Sequence, residues 1–117
     1  MLEKKEMGYS MLKIKEFAQL CGCSIYTLRY YDEIEVLKPA FVDAKSGYRF
    51  YEEEQIKEFN QIKQFQEIGF SIGEFKALQG KEEEDILKEI QSKIECMKKN
   101  TYKANELMKM YMRKGEV

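Results

Sequence analysis

The sequence predicts a mainly α protein: a winged helix-turn-helix with a short β-hairpin as its wing, followed by a long C-terminal coiled-coil helix. Three observations carry this. Two short segments with one apolar face each meet at the tight turn Cys21-Gly22-Cys23. The only proline, Pro39, is followed by turn-formers and then a β-prone run, Tyr48 to Tyr51. From Glu82 to Arg113 there is neither proline nor glycine, only residues that favour helix. The chain therefore divides into a flexible N-terminus over 1–10, a winged domain over 11–80 and a dimerisation helix over 81–117.

In the first helix, Lys13 to Leu20, the residues Ile14, Phe17, Ala18 and Cys21 share a face. Ser24 suits the N-cap of a second helix, because its oxygen can accept from a free amide of the first turn. There Ile25 and Leu28 lie together, Tyr26, Thr27 and Tyr30 point elsewhere, and Arg29 sits on the flank. Helix, glycine turn, helix is the layout that offers its second helix to DNA. Pro39 blocks any continuation. A hairpin over 40–51 follows, with Phe41 and Val42 before the turn-formers Asp43 to Gly47. Basic and aromatic groups on both parts suit a major groove and its flanking phosphates.

A third helix is expected near Glu52, since the acidic run Glu52-Glu53-Glu54 favours a helix N-terminus. Ile56, Phe59, Ile62, Phe65 and Ile68 form its stripe, and Gly69 ends it as a left-handed cap. Ser71 caps a fourth helix with Ile72, Phe75 and Leu78 inward, closed by Gly80. In the long helix Ile86, Ile90, Ile94, Met97, Thr101, Ala104, Met108 and Tyr111 are spaced 4, 4, 3, 4, 3, 4 and 3 apart. Beyond Ile90 that is the heptad average, a coiled-coil seam whose weak centre at Thr101 and Ala104 suggests close helix approach. An isolated rod of this length is unstable, so a homodimer through Ile90, Ile94, Met97, Thr101, Ala104, Met108 and Tyr111 is expected.

Net charge is −1 and the pI about 5.7, which counts against a nonspecific nucleic-acid binder. Any DNA surface must come from local placement of a few cations. Arg29 and Arg49 are the only arginines before Arg113, and their planar forks suit phosphate or guanine. The candidate DNA-binding set is Ser24, Tyr26, Thr27, Arg29, Tyr30, Tyr48, Arg49 and Lys63, with a solvated face as the bland alternative for Lys63. Tyr31 and Tyr51 read as packing residues. Enzyme chemistry is disfavoured: there is no histidine, no glycine-rich phosphate loop and no nucleophile–base pair of suitable spacing. No cofactor or metal is expected, because Cys21 and Cys23 alone leave two of zinc's four positions empty. These two read as small packing residues and Cys96 as lying beside the seam. With no secretory segment, no membrane span and an odd cysteine count, a cytoplasmic protein is expected.

Four stretches in order complete the reading: Leu28-Arg29-Tyr30-Tyr31-Asp32-Glu33-Ile34, Leu37-Lys38-Pro39, Ser46-Gly47-Tyr48-Arg49-Phe50-Tyr51 and Ile68-Gly69-Phe70-Ser71-Ile72. Over roughly residues 12–80 they resemble the MerR family of bacterial transcription regulators. The resemblance implies a winged-helix dimer joined by an antiparallel coiled coil. Such a dimer would bind a palindromic promoter operator and, with effector bound, distort it so that RNA polymerase can engage both promoter elements. Carried onto this sequence, Arg29 and Tyr30 would reach bases or phosphates, and Arg49 would hold a phosphate from the wing with Tyr48 supporting it. A small-molecule effector is expected through a domain beyond Val117, or else the chain is a short member sensing through its dimer helix. Glu35 departs from the family, which usually has glycine there. A left-handed backbone is costly for a residue with a Cβ, so a different turn is expected. The competing reading is an adaptor that uses the winged unit and coiled coil for protein–protein contact.

Overall fold

The computed structural model describes residues 11–116; the flexible N-terminus expected over 1–10 lies outside the described residues. In chain order the elements are β1 (Met11–Lys13), α1 (Ile14–Cys21), α2 (Ile25–Glu33), β2 (Phe41–Val42), β3 (Arg49–Glu52), α3 (Gln55–Glu67), α4 (Ile72–Leu78) and α5 (Glu83–Glu116). They fall into two units, one ending at Ala77 and one beginning at Leu78.

In the first unit β3 is the central strand of a three-stranded antiparallel sheet in the order β1-β3-β2. The expected hairpin is present, with Phe41 opposite Phe50 and Val42 opposite Arg49. Its turn is held by the Asp43 carboxylate, which accepts from the Ser46 amide at 2.9 Å and the Ser46 hydroxyl at 2.7 Å. These bonds hold the Asp43 carboxyl below the usual carboxylate range. Strand β1 is an addition to the expectation. It sets Leu12 opposite Tyr51 and Lys13 opposite Phe50, a pairing nearly forty residues apart that local patterning does not register.

The pleat turns Tyr51 inward, where its ring stacks on Phe17 with centroids 4.4 Å apart and planes 7° from parallel. Around this pair lie Ala18 and Cys21 of α1, Leu28 and Tyr31 of α2, and Phe59 and Ile62 of α3. Val36, Leu37 and Phe75 complete the buried set. Each large apolar side chain so buried stabilises the unit by about 1.5–3 kcal/mol. Tyr31 and Tyr51 are packing residues, as expected. Burial pushes the Tyr51 phenol up to about 12, and its hydroxyl has no hydrogen-bond partner among the described residues.

Local chemistry sets the helix ends. Gly22 (φ +73°) makes the turn out of α1, and Gly69 (φ +104°) takes the left-handed position after α3. Ser71 and Glu74 satisfy each other's backbone amides in a capping box at 3.0 and 2.8 Å. Helix α3 starts at Gln55 rather than near Glu52, because Glu52 is still paired opposite Met11. The buried Gln55 amide fixes this junction: its oxygen accepts from the Glu52 N–H at 2.9 Å, and its nitrogen donates to the Lys38 carbonyl at 2.6 Å.

The expectation at Glu35 is corrected. Glu35 is left-handed, with φ +64°, and is the only described non-glycine residue with positive φ. The Glu35 amide donates to the Asp32 carbonyl, while Val36 and Leu37 both donate to the Tyr31 carbonyl. This closure drops Val36 and Leu37 into the core, and their burial outweighs the strain. Outside, Lys38 Nζ lies 3.0 Å from the Glu35 carboxylate. That hydrogen bond holds the Glu35 carboxyl below its usual range.

Taken by itself, α5 is an uninterrupted helix of 34 residues, on the order of 50 Å long. Of the expected seam, Ile86, Ile90 and Ile94 are partly buried, and Met97 through Tyr111 are exposed. The Thr101 hydroxyl donates to the Met97 carbonyl on its own helix at 2.9 Å. All three cysteines are free; Cys21 is buried and Cys96 exposed. Burial pushes the Cys21 thiol up to about 11. No helix among the described residues is long and apolar enough to cross a membrane.

Candidate nucleic-acid interface

Helix α2 begins with Ser24, whose hydroxyl oxygen accepts from the Thr27 amide at 3.0 Å and shares a second bond with the Thr27 hydroxyl at 2.9 Å. One hydroxyl proton is thus used inside the pair, leaving a single O–H for an outside acceptor. Leu28 and Tyr31 are driven into the core, which fixes the roll of the helix. The opposite stripe, Tyr26, Arg29, Tyr30 and Glu33, is left facing solvent at helical spacing. Tyr26 is 82% exposed, far more than a packing residue would be.

The wing is tied to this helix by one ion pair. Arg49 Nε donates to the Asp32 carboxylate at 2.9 Å, with both side chains about a quarter to a third exposed. The Arg49 guanidinium is therefore aimed, with its terminal nitrogens left for another partner. Tyr48 stands beside it, exposed at the end of the hairpin turn where Gly47 is left-handed.

Between wing, α2 and the start of α1 lies an open cleft of about 200 Å³. Lys13, Lys15, Arg29 and Arg49 surround it, with Tyr48, Ile14 and Gly47 completing the walls. Of the predicted set, Arg29, Tyr48 and Arg49 come together here, while Ser24, Tyr26, Thr27 and Tyr30 lie along α2. Lys63 is exposed on α3 and is not part of the cleft. Sequence reasoning missed Lys13, Lys15 and Asp32. The two lysines flank Ile14 at the head of α1, and only the unforeseen β1–β3 pairing brings them beside the wing. No group of three or more metal-ligating side chains occurs among the described residues.

Residues 12–81 match the MerR HTH family regulatory protein model. The chain belongs to the MerR family. Its winged unit is a MerR-type DNA-binding domain, and the family's members are transcription regulators rather than enzymes. Among similar proteins is the multidrug-efflux transporter 1 regulator of Bacillus subtilis, 40% identical over 70% of this chain and 28% of that protein. The transcriptional activator mta of the same species is 36% identical over 82% of this chain and 37% of its own length. The chain thus spans about a third of the length of these MerR relatives. The crystal structure of MtaN, the N-terminus of the Bacillus subtilis multidrug transporter activator, superposes with a TM-score of 0.74 at 32% identity. It covers 87% of this chain and 95% of that one. The EcmrR–DNA complex in EcmrR-RPo matches at TM-score 0.57 and 32% identity, over 84% of this chain and 38% of that one. In the helix-turn-helix layout α2 is the second helix, and the β2–β3 hairpin is the wing.

Proposed function

We propose that this MerR-type regulator binds a palindromic promoter operator as a homodimer and distorts it on effector binding, so that RNA polymerase responds through the promoter. In this reading Tyr26, Arg29 and Tyr30 enter the major groove, Ser24 and Thr27 reach phosphate from the helix start, and Arg49 and Tyr48 grip the backbone from the wing. The copies pair through Ile90, Ile94, Met97, Thr101, Ala104, Met108 and Tyr111 of antiparallel α5 helices, and a small-molecule effector acts through a domain outside this chain. One observation carries the reading: the aromatic and arginine stripe of α2 is left bare while its other face fills the core, with Arg49 aimed alongside by Asp32.

A mobility-shift titration on the protein's own upstream region tests it. Arg29→Ala is expected to weaken operator binding roughly 10- to 100-fold and to relax the preference at one base pair in each half-site, with the dimer intact. Wild-type-like binding by both Arg29→Ala and Arg49→Ala would overturn the contact surface. Absence of any shift with the wild-type protein would favour the adaptor reading.

A further inference from the structure

We infer that the cleft between the β1–α1 junction, α2 and the wing seats one backbone phosphate of the bound duplex, with Lys13 and Lys15 as contacts from that junction. The inference rests on the operator-binding reading and extends it from helix and wing to the start of the chain's first helix.

Between residues 11 and 51 there are six Lys and Arg side chains, and four of them surround this one cleft. They come from four separate elements, β1, α1, α2 and β3, so the convergence is a product of the fold and not of a local charge run. The acidic groups nearest to them do not cancel the charge. Asp32 takes Nε of Arg49 at 2.9 Å, and Glu16 accepts from the backbone amide of Lys13 at 3.0 Å. Glu33 stands one turn from Arg29 on the exposed stripe of α2, and four cations against these three carboxylates leave a net of about one positive charge, matched to a phosphodiester of charge −1. Side-chain ion pairs for Lys13 and Lys15 are absent among the described residues. The walls between the cations are apolar, formed by Ile14 and the Tyr48 ring. A cleft of one sign with low-dielectric walls concentrates the field at its mouth. Lysine, a compact point charge on a flexible stem, suits phosphate contact without base readout. Lys13 and Lys15 are therefore assigned to affinity, and Arg29 to the boundary between phosphate and base.

The test is fluorescence anisotropy on the upstream duplex at several salt concentrations, with wild type, K13Q/K15Q and K13R/K15R. The glutamine pair is expected to bind the operator and a scrambled duplex each about tenfold more weakly, with the slope of log K against log salt shallower by about 2, one phosphate being lost from each half-site. Its melting temperature should match wild type, and the arginine pair should restore binding. A scan with single neutral methylphosphonate linkages should find one linkage per half-site that weakens wild type but leaves K13Q/K15Q unaffected. If wild type binds and Arg29→Ala weakens it, yet K13Q/K15Q keeps wild-type affinity and salt slope, the phosphate seat is wrong and the operator reading stands. Loss of operator preference in K13Q/K15Q, in place of uniform weakening, also overturns the seat. Failure of wild type to bind the duplex removes the operator reading and the seat together.

Discussion

The winged unit and α5 place their apolar residues in opposite ways. In the winged unit Phe17, Leu28 and Tyr51 have no solvent exposure at all, and helices, strand and loop close over them. Along α5 the same kinds of residue stand in solvent: Met97 is 41% exposed, Met108 56% and Tyr111 66%. The winged unit owes its shape to contacts within one chain. The single helix has propensity but no core, and propensity alone leaves a helix in water marginal. One part closes over its own core, and the other leaves its apolar residues exposed.

Three experiments bear on that contrast, beginning with the largest effect. Phe17→Ala removes the ring stacked on Tyr51 and should destabilise the winged unit by about 3–5 kcal/mol, read as a lower urea midpoint. Met97→Ala should leave that midpoint within the error of measurement; equal losses would erase the contrast. Next, Met97→Asp with Met108→Asp puts charge into the proposed seam. Sedimentation should show a monomer, with operator binding weaker by about 100-fold as the two half-sites become independent, while the winged unit melts as before. The smallest effect concerns the strained loop. Glu35→Gly relieves the left-handed backbone and should raise the melting temperature by roughly 3 °C. The Glu35 carboxyl is held below its usual range by Lys38. Its contribution is therefore present above the unfolded pKa and lost as pH falls through the folded one. The advantage of the glycine variant should accordingly widen in acid; a constant difference across that range would show that the ion pair contributes nothing.

What was legible in the sequence divides along physical lines. Ser24, Gly22, Gly69 and Ser71 act on amides within a few residues, so their roles could be read from neighbours alone. The inward faces of α1 to α4 were legible because helical spacing repeats. Contacts across the chain were not. Lys13 pairs opposite Phe50, Asp32 meets Arg49, and Gln55 reaches the Lys38 carbonyl, each joining residues whose identities suggest nothing until the fold is known. Glu35 marks the other failure: a local rule against left-handed glutamate was correct in sign but smaller than the burial of Val36 and Leu37 that it opposed. At the candidate interface the α2 stripe and the wing arginine were foreseen, while the lysine side of the cleft depended on a strand too short to predict.

The bond between Arg49 and Asp32 has a mechanical consequence. It fastens the hairpin to the helix that would lie in the groove, so a duplex bending under the one must carry the other with it. In the proposed dimer, two grips tied in this way on opposite halves of a site would turn a change in the angle between protomers into torsion of the DNA.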